Sequence, residues 1–269
     1  MGVSSETPEL AGERFSDGNM TPVVRIGETV RRVRSAWWPA THALLRHLEA
    51  TGFVGAPRLL GIDEQGREIL SYVEGISGLP SLAGIDADEH LIAVARLVRA
   101  YHNAVATFSP PPNASWPLAI GAPATGPLVC HNDIAPWNTI FRDGAPVALI
   151  DWDLAAPAPP SWDIAYALWR YVPLYPDDRF GPPAERARRA ALFCDAYGLM
   201  DRDRLVETIL LRQRSAYETV EQWGRAGRPG FAQLYAARLH AGALEDIAYV
   251  ERHAATLRRT LERRSFSST

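Results

Sequence analysis

Side chains suited to phosphoryl transfer are concentrated in one short stretch of the sequence, residues 131–151. That chemistry needs one carboxylate to orient or deprotonate a hydroxyl, and oxygen ligands to hold Mg²⁺ on the phosphates of a nucleotide. Asp133 suits the first task, and Asn138 and Asp151 suit the second. His131 is expected to brace the loop. The alternative interpretation is a metal-free hairpin, because Asp and Asn are also common in turns.

Short β-rich runs surround these residues and are expected to bring them together. Residues 128–130 form an apolar run, and two further runs, 139–142 and 146–150, are separated by Asp143-Gly144. An Asp-Gly pair between two β-rich runs is a strong hairpin signal. The hairpin returns Asp151 to the loop that carries the other candidate residues, which favours a built site over solvated turn residues.

This pattern resembles a known family of enzymes. His131-x-Asp133-x-x-x-x-Asn138, followed by a hairpin and Ile150-Asp151, is similar to the catalytic core of the aminoglycoside phosphotransferase and choline kinase family. The resemblance implies an α+β, bilobal protein-kinase-like fold with a small β-rich N-lobe and a larger, mostly helical C-lobe. It also implies ATP and Mg²⁺ as cofactors, Asp133 as the catalytic residue, and Asn138 and Asp151 as metal ligands.

Residues 22–74 have the element order expected of the N-lobe, which the resemblance makes the nucleotide-binding part. Two β-rich runs, a helix and two further β-rich runs are predicted at residues 22–26, 29–33, 37–50, 58–61 and 67–73. The segment 71–75 would be the hinge between the lobes. The resemblance implies that backbone groups of Ser71 and Val73 meet the adenine there.

The N-lobe lacks the lysine that the family uses to bind the nucleotide phosphates. All 28 basic residues of the chain are arginines, so an arginine must serve or nothing does. Strand register favours Arg32, with Arg31 and Arg34 as alternatives, and a solvated strand face remains the other interpretation of these residues. The glutamate that normally pairs with that lysine from the next helix corresponds to His42, which would not pair with Arg32 as a carboxylate does.

The second part of the chain, residues 75–263, is predicted to be the C-lobe. A helical apolar stripe begins near residue 88, and its members are Leu91, Val94, Ala95, Val98, Tyr101 and Val105. Asp163, in the first turn of a later helix, is expected to support the catalytic loop without taking part in catalysis. The last helical pattern, residues 231–263, is too long for one helix and is expected to break near Gly242.

The resemblance implies that the acceptor is a small hydroxylated molecule, whose identity the sequence leaves open. An aromatic cage could hold a choline-like ammonium group, and clustered acids could hold an aminoglycoside. The aromatic residues after the metal site are Trp152, Trp162, Tyr166, Trp169, Tyr171, Tyr175 and Trp223, and Asp177-Asp178 is the adjacent acidic pair. A pseudokinase-like binding or scaffold module without turnover is the alternative function, since the family lysine is missing.

Bulk composition excludes several other classes. With 269 residues and 47% hydrophobic residues, the chain can bury a substantial core. A net charge of −3 gives no general attraction to nucleic acid. No apolar run is long enough for a membrane span, and the two cysteines, Cys130 and Cys194, have no disulfide or metal spacing. We expect a cytoplasmic protein, and its oligomeric state is not predicted.

Overall fold

The computed structural model describes residues 13–15, 23–78 and 87–262. The predicted outer limits of the two lobes, residues 22 and 263, therefore lie outside the described residues. Among the described helices, none is both long and apolar enough to cross a membrane.

The N-terminal part is a five-stranded antiparallel sheet in the order β1-β2-β3-β5-β4. Its strands are β1 Glu13–Phe15, β2 Val23–Ile26, β3 Thr29–Arg32, β4 Leu59–Ile62 and β5 Glu68–Ser71. Helix α1, Trp38–Ala50, follows β3 and buries Leu44, Leu45 and Leu48 on one face. The element order matches the sequence prediction, and β1 is an additional edge strand that the sequence analysis did not foresee.

The chain leaves the sheet through a closely packed crossing point. Gly75 has a φ of +143°, and a Cβ atom there would lie 2.5 Å from the side chain of Ile140. The next residue, Ile76, forms an antiparallel bridge with Phe141 of the catalytic hairpin. Glycine is required here because a side chain would collide with that hairpin. The crossing therefore fixes the sheet against the hairpin.

The C-terminal part contains the remaining elements, of which two strand pairs carry the site residues. These elements are α2 Asp88–Val105, β6 Leu128–Cys130, β7 Thr139–Arg142, β8 Ala145–Leu149, β9 Ala156–Ala158, α3 Pro160–Tyr171, α4 Pro183–Tyr197, α5 Leu205–Arg225, α6 Phe231–Ala236 and α7 Gly242–Glu262. Strands β6 and β9 pair antiparallel, as do β7 and β8. The β7–β8 turn has positive φ at Asp143 and Gly144, as the Asp-Gly signal predicts.

The helical periodicities of the sequence are confirmed in the core. Every residue of the predicted α2 stripe is buried, and the last helix begins at Gly242, where the break was expected. The hydroxyl of Tyr101 on α2 donates to the carbonyl of Val129 on β6. This contact ties the core of the helical part to the strand that leads into the catalytic loop.

Candidate active site

Asp163 holds the start of the catalytic loop in place. Its carboxylate accepts hydrogen bonds from the backbone N–H groups of His131 (2.8 Å) and Asn132 (2.7 Å) and from Nε2 of His102 (3.0 Å). Burial opposes the charge, but the hydrogen bond from His102 and the other donors keep the pKa of Asp163 below its ordinary value. The expected supporting role of Asp163 agrees with this geometry.

His131 fixes the other side of the loop. Nε2 lies 3.0 Å from the carbonyl oxygen of Ile150, and Nδ1 accepts from the N–H of Asp133 at 3.3 Å. This pattern assigns the proton to Nε2. Burial lowers the pKa of His131, so the neutral imidazole is the form that braces the loop. The side chain connects the loop to the segment that ends in Asp151.

Asp133 lies at the cavity side of the loop and is held by its neighbours. Nδ2 of Asn138 donates to Oδ2 of Asp133 at 2.7 Å and to its backbone carbonyl at 3.0 Å. Burial and the nearby charge of Asp151 raise the pKa of Asp133, while the hydroxyl of Tyr166 beside it acts in the opposite direction. The result is a fixed carboxylate with raised proton affinity, as a group that accepts a hydroxyl proton needs.

Asp151 follows β8 in a left-handed backbone conformation, with φ of +61°. Asn132, in the facing loop, has φ of +66°. Such conformations cost free energy in residues other than glycine, and they persist where surrounding contacts impose them. Here they bend both segments so that Asp133 and Asp151 line one cavity together with Asn138.

Arg32 joins the sheet to the metal-ligand candidates. Its Nη1 donates to Asp151 at 3.0 Å and its Nη2 donates to Asp153 at 2.7 Å, while Nε donates to Glu68. The side chain is buried, and its surrounding carboxylates raise its pKa against the opposing effect of burial. The sequence-based choice of Arg32 over Arg31 agrees with this position, because Arg31 faces Asp63 on the other side of the strand.

His42 does not pair with Arg32, as the sequence analysis expected, but Arg32 has a carboxylate partner in Glu68. Glu68 on β5 lies directly across from Arg32 on β3, and its second oxygen bonds Nε2 of His42 at 2.7 Å. Although burial opposes it, these contacts hold the pKa of Glu68 below its ordinary value. Glu68 and Leu70 are two residues apart on β5 and face the same buried side. The strand pattern of residues 68–71 therefore predicts the inward position of Glu68.

Asp153 takes part in the ion-pair network around Arg32. Its carboxylate pairs with Arg32, and its backbone carbonyl accepts from Nε1 of Trp37. Burial, assisted by the charges of Asp151 and Glu68 and opposed by Arg32, raises the pKa of Asp153 to about 6. The carboxylates of Glu68, Asp151 and Asp153 therefore share one positive charge, that of Arg32.

A cavity of about 1290 Å³ connects the sheet to the catalytic loop. Its sheet side has an apolar surface formed by Val23, Val30, Leu70, Ile140 and Ile150. Ser71 and Val73 also line it, but the N–H of Ser71 already donates to the carbonyl of Arg58. A contact between Ser71 and a bound base would therefore use its carbonyl, and the roles of both residues stay predictions.

The aromatic residues named in the sequence analysis lie in the core and around the cavity, and Trp152 belongs to both sets. Trp152 and Tyr171 are fully buried in the core, and Trp223 is buried against Phe231. The residues that line the cavity are Trp152, Trp162, Tyr166, Trp169 and Tyr175. The acidic pair does not contribute to it, since Asp177 is bound by Arg179 at the surface.

The donor set at this site fits a divalent cation such as Mg²⁺. Asp151 offers a carboxylate, and Asp153 lies two residues further on. Because the amide nitrogen of Asn138 is used on Asp133, the atom that Asn138 can offer a metal is its oxygen. Hard oxygen donors on two loops of one cavity are the ligands that Mg²⁺ prefers.

Replacing Asp163 by Asn should destabilise the fold in a pH-dependent way. At pH 7 we expect a loss of unfolding free energy on the order of 3 kcal/mol, because Asn cannot replace a buried anion with several donors. The folded pKa is depressed, so the stabilisation is present above the unfolded value of about 3.9 and is lost as pH falls through the folded pKa. Urea unfolding at pH 7, 5 and 3 should show the difference from wild type shrinking with acidity.

Asp203→Asn is the matched control for that experiment. This carboxylate is exposed, and its substitution should change stability by less than about 0.5 kcal/mol. An Asp163→Asn effect that stays constant across this pH range would contradict the assignment of an ionised anchor.

Comparison with known proteins identifies related sequences and folds. The sequence model of the phosphotransferase enzyme family matches residues 113–207, which include the catalytic loop and hairpin. The trifolitoxin immunity protein of Rhizobium leguminosarum biovar trifolii is 38% identical over 203 residues, or 71% of this chain and 75% of the relative.

Solved structures share the arrangement of both lobes. A choline/ethanolamine kinase family protein from Mesorhizobium loti has a TM-score of 0.58, with 18% identity, over 94% of this chain and 96% of its own. An amicoumacin kinase, solved with AMP-PNP, Ca²⁺ and Ami, has a TM-score of 0.65, with 12% identity, over 90% and 89%. The GDP complex of aminoglycoside 2'-phosphotransferase-IIIa has a TM-score of 0.54, with 15% identity, over 92% and 94%.

These likenesses confirm the bilobal, protein-kinase-like α+β fold predicted from the sequence. The family model matches the segment that carries the site, and the relative with 38% identity covers 71% of this chain and 75% of its own length. The chain therefore belongs to the phosphotransferase enzyme family and is a small-molecule kinase with the fold of choline kinases and aminoglycoside phosphotransferases.

Proposed function

We propose that this enzyme transfers the γ-phosphate of ATP, bound with Mg²⁺, to a hydroxyl group of a small molecule. The observation that carries the proposal is the convergence of Asp133, Asn138 and Asp151 on one cavity that Arg32 also lines. Asp133 supplies a carboxylate for the hydroxyl, and Asn138 and Asp151 supply oxygen donors for a cation. Arg32 supplies positive charge for the phosphates. All three requirements of phosphoryl transfer are then supplied within one cleft.

The two lobes divide the work in this proposal. The N-lobe, residues 22–74, binds the nucleotide, and the C-lobe, residues 75–263, supplies the catalytic loop and the acceptor site. The adenine lies on the apolar sheet side of the cavity, against backbone groups of Ser71 and Val73. Arg32 contacts the phosphates in place of the family lysine, and Glu68 keeps its guanidinium extended toward the cleft.

Asp133 acts on the acceptor. Its carboxylate orients the hydroxyl and accepts the proton while the hydroxyl oxygen bonds to the γ-phosphorus and the bond to the bridging oxygen breaks. Asn138 holds the carboxylate in position through Nδ2. A raised pKa makes the group a better proton acceptor than a free aspartate. Positioning and charge stabilisation account for most of the catalysis.

Asn138 and Asp151 are the proposed metal ligands, with oxygen donors on both sides of the catalytic hairpin. A cation held there neutralises charge on the nucleotide phosphates. Arg32 donates a hydrogen bond to Asp151, so a bound metal would either share this carboxylate with the guanidinium or displace the guanidinium from it.

The acceptor class is proposed to be an antibiotic or toxin. The support is the relative that is 38% identical, which is a trifolitoxin immunity protein. Phosphorylating a hydroxyl adds charge to a molecule and so changes how it binds its target. A pooled panel of hydroxylated antibiotics and amino alcohols, incubated with ATP and Mg²⁺ and examined for the mass shift of one phosphate, tests the function. ATP binding without any modified compound would instead favour a binding module.

Asp133→Asn should lower turnover with near-normal folding and nucleotide affinity. The substitution keeps the shape but removes the charge that accepts the hydroxyl proton, and such groups contribute roughly 10²–10⁴-fold to rates. Steady-state kinetics on any acceptor found in the panel would measure it. Asp143→Asn, in the exposed turn of the same hairpin, is the control and should leave turnover unchanged. Unchanged turnover in Asp133→Asn would remove this residue from catalysis.

Asp151→Asn should weaken ATP binding at least about tenfold in Mg²⁺ but not in EDTA. The carboxylate is a proposed ligand, whereas without metal its negative charge faces the phosphates and its neutralisation helps binding. Calorimetric titration of ATP under both conditions compares the two affinities. Equal losses with and without Mg²⁺ would show that Asp151 does not act through a metal.

Arg32→Lys should raise the apparent KM for ATP several-fold while the protein still folds. A lysine keeps the charge but cannot contact Glu68, Asp151 and Asp153 through a rigid planar group. Arg31→Lys on the opposite strand face is the matched control and should change KM little. Kinetics combined with thermal melts separate the outcomes. A damaging Arg31→Lys with a silent Arg32→Lys would reverse the assignment.

A further inference from the structure

The proposed acceptor side of the cavity holds two arginines. Arg170 on α3 and Arg212 on α5 both line the cavity. In the described part of the chain, neither guanidinium forms an ion pair with a carboxylate. The Nε atoms of both are buried and lack a hydrogen-bond partner among the described residues. Buried charged donors without partners are costly, so they point to a ligand that supplies the acceptor atoms.

Both arginines are placed by the sequence on facing helix surfaces. Trp162, Tyr166 and Trp169-Arg170 recur at helical spacing along α3, and all line the cavity. Arg212 is only 5% exposed, and its Nη2 donates to the carbonyl of Asn132 in the catalytic loop. One guanidinium is thus fixed beside the loop that carries Asp133.

Two aromatic rings of this region, those of Trp169 and Tyr166, are in close contact with the enzyme's own cations. The guanidinium of Arg170 lies 3.5 Å from the ring centroid of Trp169, and that of Arg212 lies 4.3 Å from the ring centroid of Tyr166. These contacts use the faces that an ammonium cage would need. A choline-like or polycationic acceptor would also meet two like charges.

These arginines belong to the acceptor side. Arg212 acts electrostatically on Asp133 and Tyr166, and Arg170 acts on Asp246 of α7, whose carboxylate accepts from Nε1 of Trp169 at 2.8 Å. The carboxylates near the proposed phosphate position instead form ion pairs with Arg32. The acid on the acceptor side that is not assigned to catalysis, Asp246, has its pKa raised by burial.

We infer that Arg170 and Arg212 form a binding site for a carboxylate of the acceptor, so that the substrate is a hydroxylated, carboxylate-bearing molecule with a planar apolar group. The inference rests on the proposed function for the hydroxyl and adds the chemical class of the substrate. The carboxylate binds the two guanidinium groups, and the planar group packs on the aromatic wall around Trp137 and Trp162. This class differs from both acceptors considered from the sequence.

Three matched probes without a hydroxyl test the site independently of turnover. 3-Phenylpropionate, 3-phenylpropionamide and 3-phenylpropylammonium differ in charge on the same aromatic body. Calorimetry should show the carboxylate binding at least about tenfold more tightly than the amide, with the ammonium weakest. Equal affinity for the amide, tighter binding of the ammonium, or absence of carboxylate binding would each overturn the inference.

Arginine variants assign the preference to these two residues. Arg170→Gln and Arg212→Gln should each remove most of the preference for the carboxylate. Arg214→Gln is the control on the same helix, because Arg214 is half exposed and paired with Glu251 at 2.6 Å away from the cavity. Arg170 makes no hydrogen bond with the backbone of the described residues, so its variant remains informative if Arg212→Gln is unstable.

Two further measurements distinguish a substrate carboxylate from the γ-phosphate as the bound anion. They also distinguish a failure of this inference from a failure of the proposed function. If both variants lose the preference for AMP-PNP over ADP, the guanidinium groups bind the γ-phosphate and the inference is overturned. Phosphorylation restricted to cationic acceptors would also overturn it, while leaving the proposed kinase function intact. Carboxylate binding that depends on Arg170, with no phosphate transfer to any compound, would refute the proposed function and retain the anion site.

Discussion

The geometry of the site depends on one buried carboxylate, Asp163. It binds two consecutive backbone N–H groups at the start of the catalytic loop, and it takes a third donor from His102 on α2. A buried anion with three fixed donors tolerates little displacement, because each lost donor leaves charge unsolvated. At the start of the loop, Asn132 therefore adopts a left-handed backbone conformation, and the next residue, Asp133, lies at the cavity. Asp133, the proposed catalytic carboxylate, is thereby held in position by the contacts of a second carboxylate that is fully buried.

The fold could be predicted from the family resemblance of a short motif. The position of Asp133, Asn138 and Asp151 at one cavity could be predicted because the signals of the hairpin are local, whereas the roles of these residues stay predictions. The Asp143-Gly144 turn has a single favoured hairpin geometry, and the α2 stripe has one helical period, so both were recovered. Glu68 was missed because its role depends on strand order: β3 pairs with β5 rather than with the next strand in sequence. That pairing places Glu68 opposite Arg32 and leaves His42 as a second partner of the glutamate. The sequence shows that the helix lacks the family glutamate, but it does not show that Glu68 of strand β5 contacts Arg32 instead.

Arg32 illustrates why a missing motif residue differs from a missing function. A lysine is a point charge, whereas a guanidinium has five donors in a fixed plane. Here that plane spans Glu68 on the sheet and Asp151 and Asp153 beyond the hairpin, so one side chain links both lobes. Replacing the family lysine by arginine therefore keeps the positive charge and adds a bridge that orients the proposed metal ligand. The missing lysine was the main reason to consider an inactive module, and Arg32 places a positive charge at the cavity in its absence.

The distribution of charge along the cavity gives the cleft a direction. On the nucleotide side, three carboxylates surround Arg32, which leaves an excess of negative charge that suits a divalent cation. On the proposed acceptor side, Arg170 and Arg212 face aromatic rings, and neither forms an ion pair with a carboxylate of the described residues, although Asp133 and Asp246 lie nearby. Under the proposed function, metal and acceptor would bind at opposite ends of the cleft, and the transferred phosphoryl group would lie between them beside Asp133. An acceptor with a carboxylate matches this field, whereas a polycation would be attracted to the carboxylates at the wrong end.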